Sequence, residues 1–182
     1  YAELPRPALG LEKIQEVVET ALSTFSKRAK EKGVSVQLNT DDLSGDGQLY
    51  IDRRQMVKAL GNILENSLEA LTKVAVEKAK KTLGVTLTDD GETVEVSVAD
   101  KGPGIAAKHM SQIFEPFFST QPDRVGLGLT FARRVMREHG GKVKAESQLR
   151  KGTKVTLYLP KDRRRKVRRE LIAPEAGESE DA

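Results

Sequence analysis

The chain of 182 residues has no cysteine and no tryptophan, only two histidines, and an aromatic content of 4%. The missing thiols exclude disulfide stapling, thiolate nucleophiles and sulfur-ligated zinc. Two histidines are too few for a histidine-rich metal centre. No apolar run approaches the ~20 residues a membrane-crossing helix requires. The opening Tyr1-Ala2-Glu3-Leu4-Pro5 lacks the basic start and apolar stretch of a secretion signal. It reads as a linker from a longer parent protein, with no membrane contact expected from this piece although the parent can carry an anchor. Aromatic side chains are also missing around the basic run 161–169, so a solvated tail fits it better than a nucleic-acid surface.

A hydrophobic content of 37%, a charged content of 32% and a net charge of +4 suit one soluble, cytoplasmic domain with a sizeable core. The expected organisation is a linker over 1–10, a domain over 11–160, and a charged tail over 161–182 that is basic first and acidic later.

Leu11, Ile14, Val17, Val18, Leu22 and Phe25 recur at helical spacing, Gly33 ends that segment, and 34–38 alternates as a strand. Residues 49–51 are extended, and Asp52 is a suitable N-cap for a helix with Met56, Leu60, Ile63, Leu64, Leu68 and Leu71 on one face. That helix, or a second after a break, is expected to continue through the Ala- and Lys-rich stretch 72–81. Strands are predicted over 84–88 and 93–99 around Asp89-Asp90-Gly91. An amphipathic helix is predicted over 127–139, closed by Gly140-Gly141, and then a hairpin of 143–147 with 153–159. Helices with mostly antiparallel strands predict an α+β fold, a mixed sheet covered by helices on one face.

Three segments carry chemistry. Asn62, Asn66 and Glu69 are spaced i, i+4, i+7 and share a helix face away from the Leu60/Leu64/Leu71 stripe. Such a face is either simply solvated or a ligand set, with the Asn66 amide oxygen a hard ligand for Mg²⁺ and Asn62 and Glu69 organising water or phosphate. Asp100 ends a Val94/Val96/Val98 strand and enters Gly102-Pro103-Gly104. The turn is either an ordinary Asx-turn or an adenine site, in which the carboxylate accepts from the exocyclic amino group while Gly102 and Gly104 let backbone approach the base. Gly126-Leu127-Gly128-Leu129 opens a helix whose free N–H groups and dipole favour phosphate. Arg124 and Lys101 are either partners for that phosphate or ordinary surface charges.

The order of these parts resembles the GHKL superfamily of histidine kinases, gyrase-type topoisomerases, heat-shock 90 chaperones and mismatch-repair ATPases. Within it the chain is similar to the ATP-binding domain of sensor histidine kinases of the nitrogen-regulation type. Asn62 to Ala70 matches the N box, Asp100 to Ile105 the first glycine box, Ile113 to Ser119 the F box, Gly126 to Leu129 the second glycine box, and Gly152-Thr153 the closing turn.

The resemblance implies a Bergerat α/β sandwich with a short lid before Gly126. It implies ATP with Mg²⁺ held by Asn66, adenine read by Asp100 beside Gly102, Gly104, Ile105 and Thr153, and phosphates received by Gly126, Leu127, Gly128 and Leu129. Phe117 and Phe118 are expected to pack the lid base. Where relatives carry a lid lysine this chain has Gln121, so Arg124 is the substitute cation. Water-activating members place a glutamate four residues before the metal asparagine, and here that position is Asn62. The implied reaction is therefore transfer to histidine. The implied partners are a dimerisation and phosphohistidine domain of the same homodimeric parent and a response-regulator receiver domain. The alternatives are a nucleotide-responsive interaction module and a kinase that binds ATP without transfer.

Overall fold

The structure, a computed structural model, describes residues 5–43, 46–73, 81–120 and 125–161. Seven strands and three helices alternate along it. In order they are β1 (Gly10–Lys13), α1 (Ile14–Glu31), β2 (Ser35–Leu43), β3 (Gln48–Ile51), α2 (Arg53–Thr72), β4 (Thr82–Asp89), β5 (Thr93–Asp100), α3 (Gly128–Glu138), β6 (Lys142–Gln148) and β7 (Gly152–Pro160). A 3-10 turn, Ala107–His109, lies in the loop between β5 and α3.

Five strands form one sheet in the order β2-β4-β5-β7-β6, with β2–β4 parallel and every other pair antiparallel. Alternation decides which face is covered. Leu83, Val85 and Leu87 of β4, Val94, Val96 and Val98 of β5, and Leu157 and Leu159 of β7 are all buried against the helices. Each such side chain removed from water contributes roughly 1.5–3 kcal/mol. The helices answer with Val17, Val18 and Phe25 of α1, Met56, Leu60, Ile63 and Leu64 of α2, and Ala132, Val135 and Met136 of α3. This is the expected two-layer α+β sandwich.

Two local readings change, at Leu11 and at Lys161. Leu11 fits the helical spacing of α1, yet it lies in β1, opposite Tyr50 of β3 and 56% exposed. The antiparallel pair β1–β3 supplies backbone partners that the spacing around Leu11 does not encode. α2 ends at Thr72 with Lys73 as its C-cap, and β4 begins at Thr82. The remainder of the expected helical continuation, 74–80, lies outside the described residues, as do 162–182 of the expected tail. Lys161, read as the start of that tail, is fixed to the sheet: its N–H donates to the Glu92 carbonyl at 2.9 Å, and its ammonium pairs with Asp89 and Asp46. Hydrogen bonding to Asp89 holds the Lys161 ammonium above the usual lysine range.

The expected linker also packs on the domain. Asp52 caps α2 through Oδ1, which accepts the Gln55 N–H at 3.0 Å, while Oδ2 accepts the Ala8 N–H at 2.8 Å. Gln55 in turn donates to the Pro5 carbonyl at 2.9 Å. Burial alone would push the Asp52 carboxyl up, but the Gln55, Ala8 and Arg54 amides outweigh it and hold the group below the ordinary carboxylate range.

His139 joins this cap to α3. Its Nε2 accepts the Asp52 N–H at 2.9 Å, so Nδ1 carries the proton and donates to the Val135 carbonyl at 2.7 Å. Behind it Gly140 adopts φ +70°, and Gly141 donates to the Met136 carbonyl at 2.8 Å, a Schellman end to α3. The side chain is 1% exposed. His139→Phe keeps a ring but strands the buried Asp52 N–H, an expected loss of about 1–3 kcal/mol. Urea unfolding measures it, and a loss below about 0.5 kcal/mol, the scale of an ordinary surface change, would show the link to be dispensable.

Candidate functional site

A cavity of about 210 Å³ opens between α2, the loop after β5, the 113–120 segment and the start of β7. From the sequence-predicted set it gathers Asn66, Asp100, Gly104, Ile105, Gly126, Leu129 and Thr153. Asn62, Glu69, Gly102, Leu127, Gly128 and Lys101 are not among its lining residues. Arg124 and Gln121 lie outside the described residues.

Asp100 and Thr153 are directly opposite in the β5–β7 ladder, so their side chains project on the same face into one end of the cavity. Asp100 is only 6% exposed. Its Oδ1 accepts the Gly102 N–H at 2.9 Å, the Asx-turn that was the simpler reading of this segment. The turn also fixes a carboxylate that faces the cavity. Burial pushes the Asp100 carboxyl above its ordinary range, and hydrogen bonds from Gly102, Ser67 and Thr153 pull it part of the way back.

Gly102 acts as a spacer. A Cβ there would lie 2.8 Å from Asp100 Oδ1 and 2.9 Å from the Ala70 side chain, so glycine lets the loop close over the carboxylate against α2. Gly104, at φ +70°, presses on the Gln148 carbonyl so closely that a side chain would collide with it.

The other end of the cavity is built where α2 meets the start of α3. Asn66 faces it from the middle of α2, and a Cβ on Gly128 would come within 3.7 Å of the Asn66 amide nitrogen and 3.5 Å of the Asn62 Cβ. Asn62 donates to the Gly128 carbonyl at 3.4 Å, tying the two helices together beside the cavity. Glu69 is half-buried nearly one turn beyond Asn66. Leu127 is the N-cap of α3 with no side-chain cap bond, so the first N–H groups of that helix take no side-chain oxygen from it. Gly126 at φ +70° packs on the Phe118 carbonyl.

The expectation that both lid phenylalanines pack is corrected at one of them. Phe118 lines the cavity and packs against His109 in a tilted arrangement, with ring centroids 5.5 Å apart. Phe117, at φ +63°, is turned outward and 64% exposed. The left-handed turn at Phe117 reverses the chain, which separates two rings that adjacent sequence positions suggested would share one core.

Three lining or supporting residues were not singled out by sequence. Ser67 reaches Asp100 from α2, and Lys73 lines the cavity one helical repeat beyond Asn66. That i, i+7 spacing is a signal, obscured because Lys73 sits in a lysine-rich stretch. Ser147 of β6 accepts the Ile105 N–H at 2.8 Å and so anchors the glycine loop from behind.

Among the described residues no group of three or more His, Asp or Glu is placed to hold a metal ion, and no helix is long and apolar enough to cross a membrane. An asparagine amide beside a helix N-terminus fits Mg²⁺, which is usually held by few protein ligands plus substrate oxygens and water.

Comparison with known proteins gives sensor histidine kinases and their catalytic domains among the relatives. The chain is 30% identical over 161 residues to the sensor histidine kinase ZraS of Escherichia coli (strain K12), covering 87% of this chain and 33% of ZraS. Among solved structures, the catalytic domain of histidine kinase ThkA matches with a TM-score of 0.72 at 26% identity, over 85% of this chain and 97% of that domain. ShkA, solved full-length in complex with AMPPNP, matches with a TM-score of 0.72 at 27% identity, over 87% of this chain and 32% of ShkA. The chain thus spans about a third of the length of the curated relative ZraS. Residues 51–163 match the family described as Histidine kinase-, DNA gyrase B-, and HSP90-like ATPase, more than half of the chain, and the chain belongs to that family.

Proposed function

We infer that this domain binds Mg-ATP in the cavity and donates the γ-phosphoryl group to a histidine on a separate domain of its parent. The observation that carries the reading is the polarity of the cavity: a buried carboxylate at one end, and an asparagine beside a helix N-terminus at the other. An acceptor-only group suits the adenine amino group, and the open end of a helix suits phosphate. The bound AMPPNP of ShkA, an adenine nucleotide analogue, supports the same class of ligand here.

Asn66 would hold the magnesium, whose charge, when it is bound, offsets that of the β- and γ-oxygens. Asp100 orients the base, with Thr153 and the Gly104-Ile105 backbone beside it. Gly126 lets the chain enter α3 so that its N-terminal N–H groups face the phosphates, with Gly128 and Leu129 opening that helix. Arg124 is assigned the compensating charge. In the transfer itself, the lone pair of an imidazole nitrogen attacks phosphorus as the bond to the ADP oxygen breaks. The domain supplies position and charge rather than a base.

Hydrolysis is the weaker reading because the place of a water-activating glutamate is taken by Asn62, already engaged with Gly128. The chain's own histidines are unsuited as acceptors. His139 is buried with both ring nitrogens engaged, and His109 packs against the Phe118 ring with a buried Nδ1. The acceptor then belongs to a dimerisation domain of a homodimeric parent, with a receiver domain taking the phosphoryl group next, all on the cytoplasmic side where ATP is available.

The test is transfer in trans. With γ-labelled ATP and Mg²⁺, the domain should label a histidine on the parent's dimerisation domain, with acid-labile, base-stable chemistry. Release of inorganic phosphate by the domain alone, without partner labelling, would assign it as a hydrolase. Binding without either would make it a nucleotide-responsive module.

A further inference from the structure

Ser147 engages three partners through one oxygen. Its Oγ is 2.8 Å from the Ile105 amide nitrogen, 2.9 Å from the Gly152 carbonyl oxygen and 2.8 Å from Thr153 Oγ1. A hydroxyl has one proton to donate and two lone pairs with which to accept. The Ile105 N–H can only donate, and the Gly152 carbonyl can only accept. The Ser147 proton therefore goes to Gly152, and one lone pair takes the Ile105 N–H. Only a lone pair remains for the third contact, so Thr153 is the donor there. Thr153 has then turned its single proton toward Ser147, and what Oγ1 offers the cavity it lines is acceptor capacity alone.

This matters because Thr153 stands opposite Asp100 in the β5–β7 register. Resting on the reading of the cavity as an adenine-nucleotide site, we propose that Ser147 is a positioning residue for base selection. By taking the Thr153 proton it leaves two acceptors side by side, Asp100 and Thr153, at the end of the cavity where the base is read. A 6-amino purine meets them with N–H groups. A 6-oxo purine sets its own carbonyl oxygen against them. The same serine fixes the loop that carries Ile105, and the Arg150 N–H, donating to the Pro103 carbonyl at 2.7 Å, holds the other side of that loop. The β6–β7 turn is thus a frame for the base site, although of that hairpin only Thr153 and Val155 of β7 line the cavity.

The experiment compares the parent, Ser147→Ala and Ser147→Thr by calorimetric titration with Mg-ATP and Mg-GTP, with thermal unfolding followed on the same samples. Loss of one hydrogen-bonding position predicts about five- to tenfold weaker ATP binding in Ser147→Ala. The ATP-to-GTP affinity ratio should narrow by a similar factor, and Ser147→Thr, which keeps the hydroxyl, should restore both. A serine with a purely structural role would lower the unfolding temperature and leave the ratio unchanged, which overturns the proposal. Should Ser147→Ala fail to fold, Thr153→Val decides: a narrowed ratio supports the proposal and an unchanged ratio sinks it. A parent that binds no nucleotide defeats the adenine reading itself. A parent that binds ATP, with variants of unaltered preference, defeats only the assignment of Ser147.

Discussion

Asn66→Ala is expected to abolish the magnesium dependence of nucleotide binding while leaving the domain folded. The two halves of that result have separate causes. Asn66 sits in the interior of α2 and lines the cavity rather than the core, which is built from Ile63, Leu64, Leu68 and Leu71 of the same helix. Alanine is the better helix former by about half a kcal/mol, which offsets part of what the Asn66 side chain contributes, so the variant should stay folded. Affinity behaves differently. Among the described residues no carboxylate cluster stands ready to replace the lost ligand. Losing only an outer-shell partner of a metal site commonly costs 10–100-fold, so loss of the direct ligand should exceed about 100-fold. ATP titrations with Mg²⁺ and with EDTA should differ strongly for the parent and coincide for the variant. A variant that keeps the parent's response to magnesium would move the metal away from Asn66.

Asp100→Asn is expected to trade binding for stability. Against the adenine amino group the amide presents a donor as well as an acceptor, and the hydrogen bond loses its charge. A charge-assisted bond contributes roughly 1.5–3 kcal/mol, so ATP should bind about 10- to 100-fold more weakly, with ATP and GTP closer together. Stability moves the other way. Burial raises the Asp100 pKa above its unfolded value, so the folded state favours the protonated form. The associated stability is fully present below the unfolded pKa and is lost as pH rises through the folded one. At neutral pH the ionised carboxylate is therefore a burden to the fold, and the neutral amide relieves it. A second signature follows from the same shift. ATP binding by the parent should weaken as pH falls through the raised pKa, above the usual carboxylate range, whereas Asp100→Asn should be insensitive to that step. Equal pH profiles for the two proteins would separate Asp100 from base recognition.

Much of this was legible in the chain because the informative signals are local. The cap at Asp52, the apolar face from Met56 to Leu71, the alternating valines before Asp100 and the diglycine after His139 each specify their own segment, and α2, β5 and α3 form where those signals stand. The boxes around Asn66, Asp100 and Gly126 could be read for the same reason, since each is a short run with an uncommon composition. What escaped was set by distant partners. Leu11 satisfies a helical period and is a strand residue because Tyr50 pairs with it. Asn62 shares a helix face with Asn66, but its amide is engaged by Gly128, a contact that only the packing of α3 on α2 creates. Ser67 and Ser147 gave no warning, because isolated serines are common on surfaces and their hydroxyls acquire meaning only from the neighbours that folding delivers.

The strand order has a kinetic consequence. β2 pairs with β4 only after β3 and α2 have been laid down between them, and β7 enters between β5 and β6 late in the chain. Domains dominated by such non-local pairings fold slowly, since loop closure must precede the contacts that reward it. Thr153 of β7 and Ser147 of β6 belong to that last-arriving hairpin. A refolding chain should therefore regain most of its helix before it can retain a nucleotide, and ligand added early should speed recovery little while making the final state harder to leave.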